Sequence, residues 1–170
     1  PTPETLCNLQ EGRLDFGVVS TPFEETASLH SEVVREIEDI FVAGRKFIQY
    51  KNKMLDLQEL EEMPLIFLEG ITSTRRNMEL FLRENHVEVH PEFELATSEM
   101  IVQFALRNLG IGCVVRDFAE EYLETGQLFE LRFNNMIPKR HFCVVTDGHN
   151  PMSAATGNLL RLFRAQQAEI

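Results

Sequence analysis

The feature that most constrains this sequence is an alternation. Short apolar runs of strand length recur along it, and stretches with helical period separate them. "LDFGVVS" (14–20), "EIEDIFVAG" (36–44) and "MPLIFLEG" (63–70) are three such runs, bounded by glycine or a hydroxyl. "TRRNMELFLREN" (74–85) places Met78, Phe81 and Leu82 on one helical face, with Asn85 as its stop. "EVHPEFELAT" (88–97) alternates like a strand, and Pro91 within it predicts an edge position or an entry point. From Ser98 to Asn108 the period is helical through Ile101, Phe104 and Ala105, with Gly110 as the expected C-terminal cap. "IGCVV" predicts a strand, "DFAEEYLETG" (117–126) a helix, and "LFELRF" (128–133) and "RHFCVVTD" (140–147) two more strands. Ser153 starts a last helix with Leu159, Leu160 and Phe163 on one face. Strands separated by helices predict a parallel sheet in an α/β fold.

With 170 residues, 44% of them hydrophobic, the chain can bury a core as one domain or as two small lobes. No apolar run approaches the roughly 20 residues of a membrane span, and "PTPETLCNLQEG" has neither the basic start nor the apolar centre of an export signal. The expectation is a soluble, cytoplasmic chain with no membrane partner. Its formal charge is −11, from 16 basic and 27 acidic side chains. The basic residues are scattered in short pairs such as Arg75-Arg76 and Lys139-Arg140, which disfavours a grip on nucleic acid by this chain alone. Cys7, Cys113 and Cys143 are an odd, widely spaced set that fits a reducing compartment. The latter two lie in apolar runs and are expected to be buried, Cys7 is the expected exposed thiol, and a structural role is expected for all three.

Three junctions share one chemistry. Ser20-Thr21 closes the first run, Thr72-Ser73-Thr74 the third, and Thr97-Ser98 precedes the helix that begins near residue 98. Open α/β sheets bind ligands beyond the carboxyl ends of their strands. A helix N-terminus there presents free N–H groups that favour an anion such as a carboxylate. Ser and Thr are also ordinary N-caps needing no ligand, so both readings stay open for each junction. Arg75, one turn into its helix, and Arg116, just after "GCVV", are candidate partners for a carboxylate or simply solvated residues.

Catalytic and metal chemistry finds little support. Gly110-Ile111-Gly112 follows a helix, whereas a dinucleotide fingerprint needs a strand, then glycines, then a helix. His86 and His90, if on a strand, lie about 13 Å apart, too far for one ion. Asp147 and His149 sit in "DGHNP", which is turn chemistry, and no Gly-x-Ser-x-Gly elbow supplies a nucleophile. Neither enzyme activity, nor a metal, nor a cofactor is expected.

"EGRLDFGVVSTP", then "DLQELEEMPLIFLEGITSTR", then "TSEMIVQFALRNLGIGCVVRDFAEEYLETGQL" resemble, in this order, the effector-binding domain of LysR-type transcriptional regulators. The resemblance covers essentially the whole chain. It implies a type 2 periplasmic-binding-protein fold: two α/β lobes joined by two crossover strands near "SEVVREIED" and "MIPKRHFCVV", with a small molecule in the interlobe cleft. Residues 1–23 and 141–170 would form lobe I, and 24–140 lobe II. The family's domain opens with a further strand and helix after a winged helix-turn-helix, so lobe I is expected to lack its opening strand and helix. DNA would be reached only through that absent helix-turn-helix.

Effector contacts are expected from Ser20, Thr21, Thr72, Ser73, Arg75, Thr97 and Ser98, with Val115 as a wall and Arg116 as a further candidate. The resemblance further implies a homodimer or tetramer with contacts near "LDFGVV", and an effector that changes the angle between lobes. A stand-alone solute-binding protein of the same fold is the alternative. A small α/β enzyme ranks behind both, for want of a nucleophile or acid–base constellation.

Overall fold

The computed structural model describes residues 2–149 and 153–167. The chain divides into two compact units, residues 1–36 with 140–170 and residues 37–139. The passages between them, at 36–37 and 139–140, fall inside the two stretches where crossovers were expected. The lobe boundary anticipated at residue 24 comes earlier than this division, because residues 29–37 form a strand hydrogen-bonded into the smaller unit's sheet.

The smaller unit opens with helix α1 (Thr2–Gln10), an element the sequence reading did not place. Strands β1 (Gly17–Ser20), β2 (Leu29–Ile37) and β9 (Arg140–Asp147) form a three-stranded sheet in the order β1-β9-β2. β1 runs antiparallel to β9, with Gly17 opposite Val145 and Ser20 opposite Phe142. Leu9 of α1 packs on Val19, Cys143 and Val145. Gly17 permits that approach, since a Cβ there would strike the Thr5 side chain. Helix α5 (Ala154–Gln167) is capped by Ser153, whose Oγ accepts the Thr156 amide at 3.2 Å. Leu160 of its expected apolar face is buried; the Phe163 side chain, and Asn150 and Pro151 of the expected turn, lie outside the described residues.

The larger unit carries a six-stranded sheet. Its strands are β3 (Asp39–Ala43), β4 (Met54–Leu55), β5 (Leu65–Leu68), β6 (Phe93–Leu95), β7 (Ile111–Val115) and β8 (Phe129–Phe133), in the order β4-β8-β3-β7-β5-β6. The expected parallel sheet proves mixed: β5 is parallel to β6 and β7, and β4 to β8, but β3 is antiparallel to both β7 and β8. β3 enters the unit from the crossover and runs against the others. β6 is an edge strand, one of the two positions Pro91 suggested, and it starts only after that proline, so it is shorter than the alternation suggested.

Both faces of this sheet are covered. Helix α2 (Ser73–Glu84) lays Met78, Phe81 and Leu82 against Phe41, Leu65, Phe67 and Cys113. Helix α3 (Ser98–Leu106) lays Ile101, Val102 and Ala105 against Ile40, Val42, Ile66 and Val114 on the other face. The period-two alternation of β3 is thereby read by two different helices. Helix α4 (Glu120–Glu124) follows a short 3-10 turn, with Tyr122 and Leu123 resting against the α3-side core.

The end of α3 differs from expectation. Asn108, at φ 60°, takes the left-handed position, and the Leu109 amide returns to the Phe104 carbonyl at 3.1 Å. Gly110 serves close approach instead, since a Cβ there would lie 2.6 Å from the Pro64 carbonyl oxygen. Gly112 does the same beneath the helix, where a Cβ would come within 2.5 Å of Ile101.

Candidate functional site

Parallel pairing makes β5, β6 and β7 end along one edge of the larger sheet. Leu68 and Leu95 are register partners there, and the Glu69 amide donates to the Leu95 carbonyl at 3.1 Å. From these adjacent strand ends two short loops lead into α2 and α3. Each loop delivers a threonine N-cap in extended conformation. Thr72 Oγ1 accepts the Arg75 amide at 3.2 Å and donates to the Glu69 carbonyl at 3.0 Å. Thr97 Oγ1 accepts the Met100 amide at 3.3 Å. A cap satisfies one of the four free amides of a helix start, and the rest of the first turn keeps its positive end. Ser73 is half-buried and Ser98 buried, each at the first helical position.

The same edge receives the start of β3, where Asp39 stands opposite Val115. Both are buried. Asp39 accepts from Asn77 of α2 at 3.4 Å. The sequence reading missed Asp39 and Asn77; the available signal was an acid heading an apolar strand, two positions before Phe41 and so on the face that α2 covers.

Arg75 is engaged within the protein. It is 8% exposed, and its Nε reaches Glu79 at 2.6 Å, its Nη1 the Leu68 carbonyl at 3.1 Å and its Nη2 Glu94 at 3.3 Å. The guanidinium also lies 4.9 Å from the Phe67 ring centre. Burial against an aromatic ring and three acceptors makes it a clamp tying the ends of β5 and β6 to α2.

Arg116 is committed as well. Its Nε donates to Glu38 at 2.7 Å and its Nη2 to Glu130 at 2.8 Å. Lys139 adds a 3.0 Å contact to the second Glu38 oxygen. These two cations hold the Glu38 carboxyl below the usual carboxylate range, Arg116 contributing most. Burial alone would pull Arg116 down, but Glu130 and Glu38 outweigh it and raise it.

In the smaller unit, Ser20 is buried at the end of β1. Thr21 is held by β9: its amide donates to the His141 carbonyl, and its Oγ1 accepts the His141 amide, both at 2.8 Å. Its carbonyl accepts from buried Arg140 at 3.2 Å, a residue the sequence reading had only as half of a basic pair. The "DGH" turn forms as its chemistry predicted, with the His149 amide on Asp147 Oδ1 at 3.0 Å. Cys113 and Cys143 are buried and Cys7 is exposed. Among the described residues, no cluster of three or more His, Cys, Asp or Glu side chains has metal-binding geometry, and no helix is long and apolar enough to cross a membrane.

Known proteins resemble this chain in sequence and in fold. The HTH-type transcriptional activator CmpR of Synechocystis is 33% identical over 72 residues, a match spanning 42% of this chain and 24% of that protein. The regulatory domain of CcmR from Synechocystis, solved in complex with 2-PG, superposes with a TM-score of 0.84 at 20% identity, covering 95% of this chain and 77% of that one. The bromide-bound regulatory domain of HypT from Salmonella typhimurium gives 0.78 at 17% identity, covering 99% and 79%. These neighbours carry the type 2 periplasmic-binding-protein-like α/β fold. The family model described as the LysR substrate binding domain matches residues 1–168, and the chain belongs to that family.

Proposed function

We propose that this chain is the effector-sensing regulatory domain of a LysR-type transcription regulator, and that its effector is a small anion. The observation that carries the reading is the pair of threonine-capped helix starts delivered from adjacent parallel strands, Thr72-Ser73 and Thr97-Ser98, with Val115 beside them. Two positive helix ends converging at one sheet edge suit a carboxylate or a phosphate better than a neutral solute. The 2-PG in CcmR and the bromide in HypT support an anionic ligand by analogy. Ser20 and Thr21 are the smaller unit's candidates; Thr21 retains its hydroxyl proton for donation. The complete regulator would act in the cytoplasm as a homodimer or tetramer and reach DNA through a region outside this sequence. The family match favours this regulatory role over a solute-binding protein or an enzyme.

The test is a thermal-shift screen of bromide, inorganic phosphate, small carboxylates and aromatic acids against the chain and its Thr97→Ser, Thr97→Ala and Ser98→Ala variants. A compound at about a hundred times its dissociation constant stabilises the native state by roughly 2.7 kcal/mol. The expected result is an anion whose shift survives in Thr97→Ser and vanishes in Ser98→Ala or Thr97→Ala. Hits that survive every substitution would place the effector elsewhere.

A further inference from the structure

Four charged side chains of the larger unit meet where the chain enters and leaves it. Glu38 lies just inside the first passage, between β2 and β3, and Lys139 is the last residue before the second. One Glu38 oxygen takes Arg116 Nε at 2.7 Å and the other takes Lys139 Nζ at 3.0 Å. Arg116 stands directly after β7 and spends its second arm on Glu130 of β8 at 2.8 Å. The Arg116 amide also donates to the Glu38 carbonyl at 2.9 Å. Two acids and two bases thus close a neutral chain of contacts in which Glu38 is the shared centre.

We propose that Glu38, Arg116, Glu130 and Lys139 form an ionic staple that ties the two passages to one another and to the end of β7. Partly exposed ion pairs such as these are individually weak, worth about 0.2–1 kcal/mol, so the staple adds only modestly to global stability. Its effect is local. Each passage is a single strand of chain, so a weak contact is a larger share of what resists its local opening than of the stability of the whole. Because Glu38 bridges both cations through separate oxygens, releasing Lys139 loosens the first passage as well as the second. Arg116 carries the same coupling to β7, whose last residue borders the strand-end edge. The staple thereby connects that edge to both passages through a chain of named contacts.

Hydrogen exchange resolves this without any ligand. The peptides covering residues 36–41 and 138–142, and the Arg116 amide, are compared in the chain, in Lys139→Gln and in Arg116→Lys. Each is measured at low salt and at about 1 M salt, where the screening length falls to about 3 Å. Lys139 is half-exposed, so its substitution leaves the core intact. The expected result is a rise of about two- to fivefold in exchange at both passages in Lys139→Gln, matched by the unsubstituted chain at high salt, with α2 and β5 unchanged. Arg116→Lys, which keeps the charge but loses the fork, should raise exchange at the Arg116 amide and at residues 36–41. A rise confined to residues 138–142 in Lys139→Gln would overturn the coupling. A uniform rise across the chain, or no change at high salt, would overturn the staple itself.

Discussion

Arg75 Nη1 donates to the carbonyl oxygen of Leu68 at 3.1 Å, inside the protein and over the face of Phe67. The last carbonyl of β5 and the first turn of α2 are thus joined by a side chain, and Glu94 extends the tie to β6. Arg75→Ala leaves that buried carbonyl without its donor and removes the stack on Phe67. A destabilisation of about 2 kcal/mol is expected, because a buried acceptor left unpaired costs about 1–3 kcal/mol. Urea unfolding of the variant measures it, and Arg75→Lys should recover only part, since an ammonium cannot serve three acceptors in a plane.

Gly110 and Gly112 should tolerate alanine unequally from Gly70. A Cβ at 110 meets the fixed backbone oxygen of Pro64 at 2.6 Å, and one at 112 meets Ile101 at 2.5 Å, whereas one at 70 meets nothing within 4 Å. Gly110→Ala is expected to lower stability by about 1–3 kcal/mol and Gly112→Ala by a similar or smaller amount. Gly70→Ala should be neutral or slightly stabilising. Midpoints of chemical denaturation rank the three.

Phe41 is fully buried at the centre of the larger sheet, with ring contacts to Phe67 at 6.0 Å and Phe133 at 5.5 Å. Phe41→Ala should cost about 3–5 kcal/mol, a large share of a domain's total stability. Phe41→Leu should fold with a loss of about 1–2 kcal/mol. Near-ultraviolet dichroism and the denaturation midpoint distinguish the two outcomes.

Glu38 makes stability depend on pH in one direction. Arg116 and Lys139 lower its folded carboxyl from an ordinary value of 4.5. The folded state therefore prefers the ionised form, and its contribution is present above that ordinary value. It fades as pH falls from there through the lower folded value. Glu38→Gln should have a lower Tm than the unsubstituted chain at neutral pH and a shallower fall on acidification below about 4.5. Melting curves from neutral pH downward show whether the two lines converge.

The caps at Thr72 and Thr97 carry a stability cost that must be separated from binding. Each Thr→Ala is expected to lose about 0.5–2 kcal/mol in the absence of any ligand, and each Thr→Ser much less. Measuring Tm without effector gives this baseline.

The local steps of this fold were legible in the sequence because each depends on neighbours in the chain. Met78, Phe81 and Leu82 declare a helix face by spacing alone, and Thr72 and Thr97 sit where an N-cap must be, a few residues before the apolar period begins. Cys113 and Cys143 read as buried from the apolar runs around them. The order of motifs was enough to indicate the family. What the sequence alone left open was every relation between residues far apart. The direction of β3 depends on which strands it meets, and an apolar run reads the same in either direction. Helix α1 was missed because its one buried side chain, Leu9, finds its partners on β1 and β9, more than a hundred residues away in the second case. The fates of Arg75 and Arg116 were decided in the same way. Nothing near either arginine in the sequence announces the partners that the fold brings within hydrogen-bonding distance, Glu94 for one and Glu38 and Glu130 for the other. Charge pairing is a matter of ångströms in space, and only the tertiary structure supplies them.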